Sequence, residues 1–448
     1  MAMTIADRLI IFALFNIPAF IIFLWLFLKE RVYRMKLKSD RSSSRVKHSH
    51  VMLALIIVTS TIIQLLFAVQ LPLLWFGPVV GAGDEQVYTL QALSLIHGKD
   101  AGGWALDPFH QIRSFLYPTM LAGWFLLVKV LTGRDFPPFM TSITTPEYVG
   151  GVSQVGTWVF FTRLFNIFIS AISIFLAYEL SKRLFHDDNA ALASALLLGT
   201  NWVFLFWGAR SSADPSAVPF LLLSVLFMVK SVEGNNHTWL YPSLAGVILG
   251  LSFMSRYQLI IFAAPILVLY SLKRRKSVFL WLGGLGLALI FQSILDYSTW
   301  GTSSILSWFI YQYSALVAGA NGAPTPQHYT YFSTFLPPYY VIVVLPFVFG
   351  AGIWLTLLGI KRNWRSTILA SMSLIYIAGV GISGAKTLRF LIPVIPLLCI
   401  LGGSGCFIGD PKNRMWQYSL LGLSVAYGIL MAIVLLIYPT HVTDPLLS

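Results

Sequence analysis

Apolar runs long enough to cross a bilayer recur from one end of this chain to the other, and no other feature restricts its fold as much. A span takes about 20 apolar residues. Runs of roughly that size fall near 9–28, 51–74, 157–180, 190–209, 216–230, 240–254, 257–272, 277–295, 338–360, 367–383, 390–408 and 416–438. Lipid offers no partner for backbone polar groups, so continuous runs of this kind are read as helices. The sequence therefore predicts an all-α integral membrane protein with about 12 transmembrane helices, to judge from run length. Composition agrees, with 57% hydrophobic and 10% charged residues, against about 45–50% and 25% in soluble domains. No Ser/Pro-rich linker separates the runs, so residues 1–448 read as one polytopic membrane domain. The first run precedes a basic cluster and lacks the small-residue cleavage site of a signal peptide, and it is kept as a span.

A net charge of +13 would suggest nucleic acid in a soluble chain, but in a membrane protein Lys and Arg collect in cytoplasmic loops. The segments Lys29–Lys47, Lys182–Arg183, Lys230, 273–276 ("KRRK"), Lys361–Arg365 and Lys412–Arg414 hold 20 of the 30 basic residues. All six fall on one side if the apolar stretch 115–131 lies along or re-enters the membrane, or if a further short span lies between 136 and 155. Membrane lipids, and no nucleic acid, are the partners this pattern implies. Segments 75–156 and 296–337 then become two large non-cytoplasmic loops, the first carrying short juxtamembrane helices. Compact loops and the absence of a retention signal favour a prokaryotic plasma membrane over the endoplasmic reticulum.

On that orientation the remaining charges are not scattered. Asp84, Glu85, Asp107, His110, Arg113, Arg210, Asp214, Arg256, Asp296, His328, Lys386 and Arg389 all fall on the non-cytoplasmic face, most of them at the ends of apolar runs. Any one of them fits an interface anchor or a helix cap. A dozen on one face point to a site, because ionisable groups near lipid are costly and usually face a cavity.

Adjacent carboxylates on a helix point about 100° apart, so Asp84 and Glu85 cannot both address one reacting atom. One would act as general base toward a hydroxyl, a role worth roughly 10²- to 10⁴-fold in rate; the other would support it. The arginines and lysine of this face supply fixed positive charge for a lipid-linked phosphate as leaving group. Trp104 and Tyr117 are candidates for stacking on a sugar, and Asp107, His110 and His328 for polar contact with it. The chain has no phosphate-binding Gly-rich loop followed by Lys-Ser/Thr, no His-x-x-x-His pair, no zinc spacing and no serine elbow. No metal or cofactor is expected. Cys399 and Cys406 share one apolar run and read as buried thiols. The glycine clusters at 283–289 and 400–405 read as places of close helix approach.

Several blocks resemble, in order, the polytopic mannosyltransferases of glycosyltransferase family 22, which build GPI anchors and N-glycan precursors. "GDEQVYTLQALSLIHG" is similar to their early acidic loop and "GWALDPFHQIRSFLYP" to their Trp and Ile-Arg-Ser-x-x-Tyr-Pro block. "TPQHYTYFSTFLP" resembles their aromatic segment, and "KTLRFLIPVIPL" their late Arg-Phe-Leu-x-Pro block. The resemblance implies a multi-pass GT-C fold and an inverting displacement from a polyprenyl- or dolichyl-phosphate mannose donor to a glycan or glycolipid acceptor. Asp84 takes the base role by position and Glu85 that of a supporting or metal-proximal acid. Arg113, Arg210, Arg256, Lys386 and Arg389 become candidates for the donor phosphate. Three departures stand out: Gly83 where a His often precedes the acids, Gln91 in place of an acid, and no His and Glu before Arg389. GT-C enzymes of the protein-O-mannosyl or lipid A aminoarabinose and arabinosyl type share this plan and form the alternative. The non-enzyme alternative, a lipid-linked sugar flippase or transporter, would favour inverted repeats and charges at mid-membrane.

Overall fold

The computed structural model describes residues 43–70, 84–97, 116–133, 148–233, 239–300, 303–310, 344–360, 362–382, 388–408 and 415–437. Among them helices are the only regular structure. In chain order they are α1 (Ser43–Gln70), α2 (Asp84–His97), α3 (Leu116–Thr132), α4 (Tyr148–Phe185), α5 (Asp188–Gly199), α6 (Trp202–Gly208), α7 (Ala213–Val232) and α8 (Leu240–Ser255). There follow α9 (Ala263–Lys273), α10 (Arg275–Trp300), α11 (Leu345–Phe349), α12 (Gly352–Ile360), α13 (Trp364–Ile382), α14 (Ile395–Gly405) and α15 (Met415–Ile437). Two 3₁₀ turns, Tyr257–Phe262 and Leu388–Leu391, precede α9 and α14. The expected run at 9–28 and most of the basic cluster after it lie outside the described residues, as do Lys386 and Thr387 at the start of the late block and Lys412–Arg414.

Five described helices are long and apolar enough to cross a membrane, and a sixth span results if α5 and α6 are taken together. The other expected runs are shorter helices or lie partly outside the described residues. The run at 190–209 is not one straight helix: α5 and α6 meet at 61°. Asn201 is the cause. Its carbonyl oxygen accepts from the Phe204 amide and caps α6, while its amide donates 3.1 Å to the Val348 carbonyl. A capping side chain offers the backbone an alternative to continuing the helix. The stretch 115–131 forms α3, 17 residues long.

Burial sorts the helices into an inner and an outer set. In α4 and α7, 72% of the apolar span is buried, against 22% in α15, whose Leu423 and Leu430 stay exposed to meet lipid. Glycines also allow helix backbones to touch, as expected of both glycine clusters. A Cβ on Gly246 of α8 would overlap the Trp281 carbonyl of α10, and one on Gly284 of α10 the Ser243 carbonyl of α8. Gly359 and Gly405 bring α12 and α14 together in the same way. Cys399 and Cys406 are buried free thiols, as expected.

α7 fixes the two ends of the bundle, since Asp214 opens it and Glu233 caps it, about 28 Å apart at 1.5 Å per residue. Around Glu233 the basic segments converge. Arg183 (2.8 Å) and Arg365 (3.2 Å) both pair with it, Lys182 pairs with Asp188 (2.7 Å) and Arg362 with Asp187 (3.2 Å). Lys273 lies 4.9 Å from the ring centre of Trp364. Lys230 lies in the last turn of α7 beside Glu233, so residues from four of the six basic segments share one end, as the charge pattern requires.

Candidate active site

At the end marked by Asp214, a chain of contacts joins residues from six segments. It starts on α3, where buried Tyr117 donates a 3.0 Å hydrogen bond to the Asn166 carbonyl oxygen of α4. The Asn166 amide donates to the Arg210 carbonyl and, at 2.8 Å, to the Ser212 carbonyl. One amide thereby fixes the bend between α6 and α7. Ser212 caps α7: its hydroxyl accepts from the Asp214 amide and donates 2.7 Å to the Asp214 carboxylate. An acid in the first turn of a helix is also favoured by the helix dipole.

Asp214 then pairs with Arg256 at 2.5 Å. The pair is buried, with side chains 2% and 14% exposed, so each charge depends on the other. Arg256 is where α8 ends, its backbone turning extended (φ −150°, ψ 108°) before the 3₁₀ turn. Its guanidinium lies 5.2 Å from the centre of the Phe390 ring, and that of Arg389 lies 5.1 Å from the same ring. Tyr376 holds this turn in place through a 2.9 Å hydrogen bond to the Phe390 carbonyl. Arg210 spreads over Phe206 (4.2 Å) and Trp207 (5.1 Å). Arg256 and Arg389 thus share the Phe390 ring, and Arg210 rests on its own aromatic pair at the bend before α7, so that three guanidinium groups lie on aromatic supports at this end.

The helix that Asp84 opens is attached to this chain. Tyr88, one turn after Asp84, packs edge-on against Tyr117 with ring centres 4.9 Å apart. Thr89, one turn after Glu85, meets Thr162 of α4 at 3.1 Å. The acidic pair is thus at the N-terminus of a helix docked on α3 and α4. Of the residues singled out from sequence, Tyr117, Arg210, Arg256 and Arg389 are joined in one network, with Asp84 and Glu85 placed beside it by the backbone of α2. Trp104, Asp107, His110, Arg113, His328 and Lys386 lie outside the described residues. Among the described residues no group of three His, Cys, Asp or Glu side chains is placed to hold a metal.

Three contributors had no candidate role from sequence. Asn166, at the junction of the network, is an uncharged amide inside an apolar run. Arg163, a charge inside the same run, is buried and donates 3.1 Å to the Ala68 carbonyl, capping the last turn of α1. Its signal was the rarity of arginine within a span. Asp214 stood among the charges of this face, and its partner lies 42 residues away.

The helical arrangement is that of the GT-C class of membrane glycosyltransferases. Residues 152–295 match the family model described as dolichyl-phosphate-mannose-protein mannosyltransferase. ArnT from Cupriavidus metallidurans shares the fold in its apo state, with a TM-score of 0.52 at 16% identity, over 86% of this chain and 64% of that one. The same protein bound to undecaprenyl phosphate gives a TM-score of 0.50 at 16% identity, over 85% and 65%. The undecaprenyl phosphate-alpha-4-amino-4-deoxy-L-arabinose arabinosyl transferase 1 of Pseudomonas fluorescens is 24% identical over 77% of this chain. This chain spans 60% of that relative's length.

Proposed function

We propose that this protein transfers a sugar from a polyprenyl-phosphate carrier to a hydroxyl of a glycan or glycolipid, at a site on the non-cytoplasmic face. The observation that carries this reading is that Arg256, paired with Asp214, meets Arg389 at the Phe390 ring while Arg210 lies at the bend before α7, all linked through Asn166 and Tyr117 to the helix that Asp84 opens. Guanidinium groups suit a lipid phosphate because they donate in a fixed fork, and ArnT, whose fold this chain shares, binds undecaprenyl phosphate. Arg113 and Lys386 are proposed to join it on the phosphate. The Pseudomonas relative favours an aminoarabinose or arabinose-type sugar over mannose. Mannose is the second reading, supported by the family matched at residues 152–295.

In the proposed step the acceptor oxygen bonds to the anomeric carbon as the bond from that carbon to the phosphate oxygen breaks. The acceptor proton goes to Asp84, and the electron pair leaves with the lipid phosphate, whose charge the arginines stabilise. Configuration inverts because there is one displacement. Glu85 supports the base, and Trp104, Asp107, His110, Tyr117 and His328 are proposed contacts of the sugar or acceptor.

Asp84→Asn tests the base. It removes the proton acceptor at nearly constant volume, so the variant should fold and bind undecaprenyl phosphate while turnover drops by about 10²-fold or more. Asn caps a helix about as well as Asp, so a purely structural Asp84 would leave turnover near normal. That outcome, measured with purified protein in nanodiscs, would pass the role to Glu85 or Asp107.

A further inference from the structure

A buried carboxylate near lipid is normally held by a counter-charge. Asp214 has one in Arg256. Asp296, near the end of α10, does not: its residue is fully buried, and among the described residues no Lys or Arg pairs with it. Its Oδ2 accepts from the Ser304 amide (3.1 Å) and the Ser304 hydroxyl (2.5 Å), while its Oδ1 has no hydrogen-bond partner.

The carboxylate sets the direction of the hydrogen bonds behind it. With the Ser304 proton committed to Asp296, the Ser304 oxygen accepts from the Tyr257 hydroxyl at 2.6 Å. Tyr257 in turn accepts from the Gln292 amide nitrogen at 2.9 Å. That fixes the orientation of the Gln292 amide and leaves its Oε1, also buried, without a donor. Gln292 and Asp296 are four apart on α10 and so share a helix face. Two buried acceptors one turn apart, one carrying an uncompensated charge, call for a ligand that brings several donors and a positive charge. A hydroxyl brings one donor and no charge; a protonated amine brings three donors and one charge.

The cluster borders the site already described. Tyr257 directly follows Arg256, and its ring packs against Phe253 of α8 with centres 5.2 Å apart. We infer that Asp296 and Gln292 form a subsite for a protonated amino group carried by the sugar of the donor or by the acceptor. This rests on the glycosyl-transfer reading and narrows its substrate to amino sugars.

The test uses full-length protein in nanodiscs with two matched pairs of substrates. One pair is undecaprenyl phosphate carrying a 4-amino-4-deoxy pentose or the same pentose with a 4-hydroxyl; the other is an acceptor with a free amine or its N-acetyl derivative. Wild type should favour the amine in one pair by about tenfold or more in kcat/KM, as sites built around a polar group do. Asp296→Asn should bring that ratio close to one while leaving use of the neutral counterpart little changed. Ser304→Ala removes the anchor but keeps the charge, so it should preserve the ratio even if it lowers Tm. A wild-type ratio of one in both pairs, or an Asp296→Asn variant that loses both members of a pair alike, would overturn the inference. If wild type transfers neither pentose nor mannose, the transferase reading fails, and the inference is then read from binding. The amino-pentose lipid should raise the Tm of wild type more than its hydroxyl counterpart does, and Asp296→Asn should abolish that difference. Equal shifts in wild type would overturn it.

Discussion

The two acids at the ends of α7 hold arginine in opposite circumstances. Glu233 is shared by Arg183 and Arg365, is 19% exposed, and has the Lys182–Asp188 and Arg362–Asp187 pairs nearby. Asp214 has Arg256 alone, at 2% exposure, with a serine cap and an aromatic ring completing its surroundings. At the first end charge is redundant and solvated, so the loss of one partner is absorbed by the next. At the second the carboxylate has a single cation among the described residues and is cut off from water, so the loss of Arg256 would leave it without a counter-charge. The contrast separates an ionic collar, which suits the headgroup region of a bilayer, from a built site.

The sharpest way to break this comparison is to neutralise one acid at each end. Asp214→Asn removes the carboxylate of a buried pair and should destabilise by about 3–5 kcal/mol, whereas Asp187→Asn, at a pair whose side chains are 26% and 19% exposed, should cost about 1 kcal/mol or less. Thermal unfolding in detergent reads both. Equal, small shifts would mean that the Asp214 pair is solvated and that the two ends are alike.

A smaller effect should separate the arginines by function. Arg389→Ala is expected to weaken use of the lipid-phosphate donor by about tenfold or more, the loss of one charge-assisted contact. Arg365→Ala should leave donor use unchanged, although Arg365 also bonds the Leu184 carbonyl at 2.9 Å. KM for the donor, measured on variants of matched folded fraction, decides; equal effects would remove Arg389 from the phosphate.

The third prediction involves no loss of activity or stability. If the ends face opposite compartments, cysteines placed at Ser43 and Ser303 should react with a membrane-impermeant thiol reagent from opposite sides of sealed vesicles. Labelling from a single side would put the two ends of the bundle in one compartment and withdraw the proposed sidedness.

How far the sequence alone leads differs for fold and site. Helix positions were legible because an apolar run carries its own evidence, and α7, α10, α13 and α15 lie close to where the runs put them. The break at Asn201 was missed because hydropathy averages over a capping residue, although Gly199 and Asn201 together are a terminus signal. Arg210, Arg256 and Arg389 stood out as charges at run ends. Their arrangement did not, since Asp214–Arg256 and Arg256–Phe390 are contacts between distant segments that no local pattern encodes. Asn166 was the least visible: an amide among Phe, Leu and Ile residues gives no charge signal, and its importance comes entirely from meeting Tyr117, Arg210 and Ser212 at once.

The touching backbones of α8 and α10 have a mechanical consequence. At Gly246 and Gly284 neither helix can slide or roll against the other without collision, so the pair behaves as one rigid strut. Arg256 terminates one half of that strut and Asp296 lies near the end of the other, which keeps the spacing between a guanidinium and a carboxylate nearly constant whatever enters. α2 and α3, by contrast, meet through the edge-on rings of Tyr88 and Tyr117, a contact in which a side chain can turn without a collision of backbones.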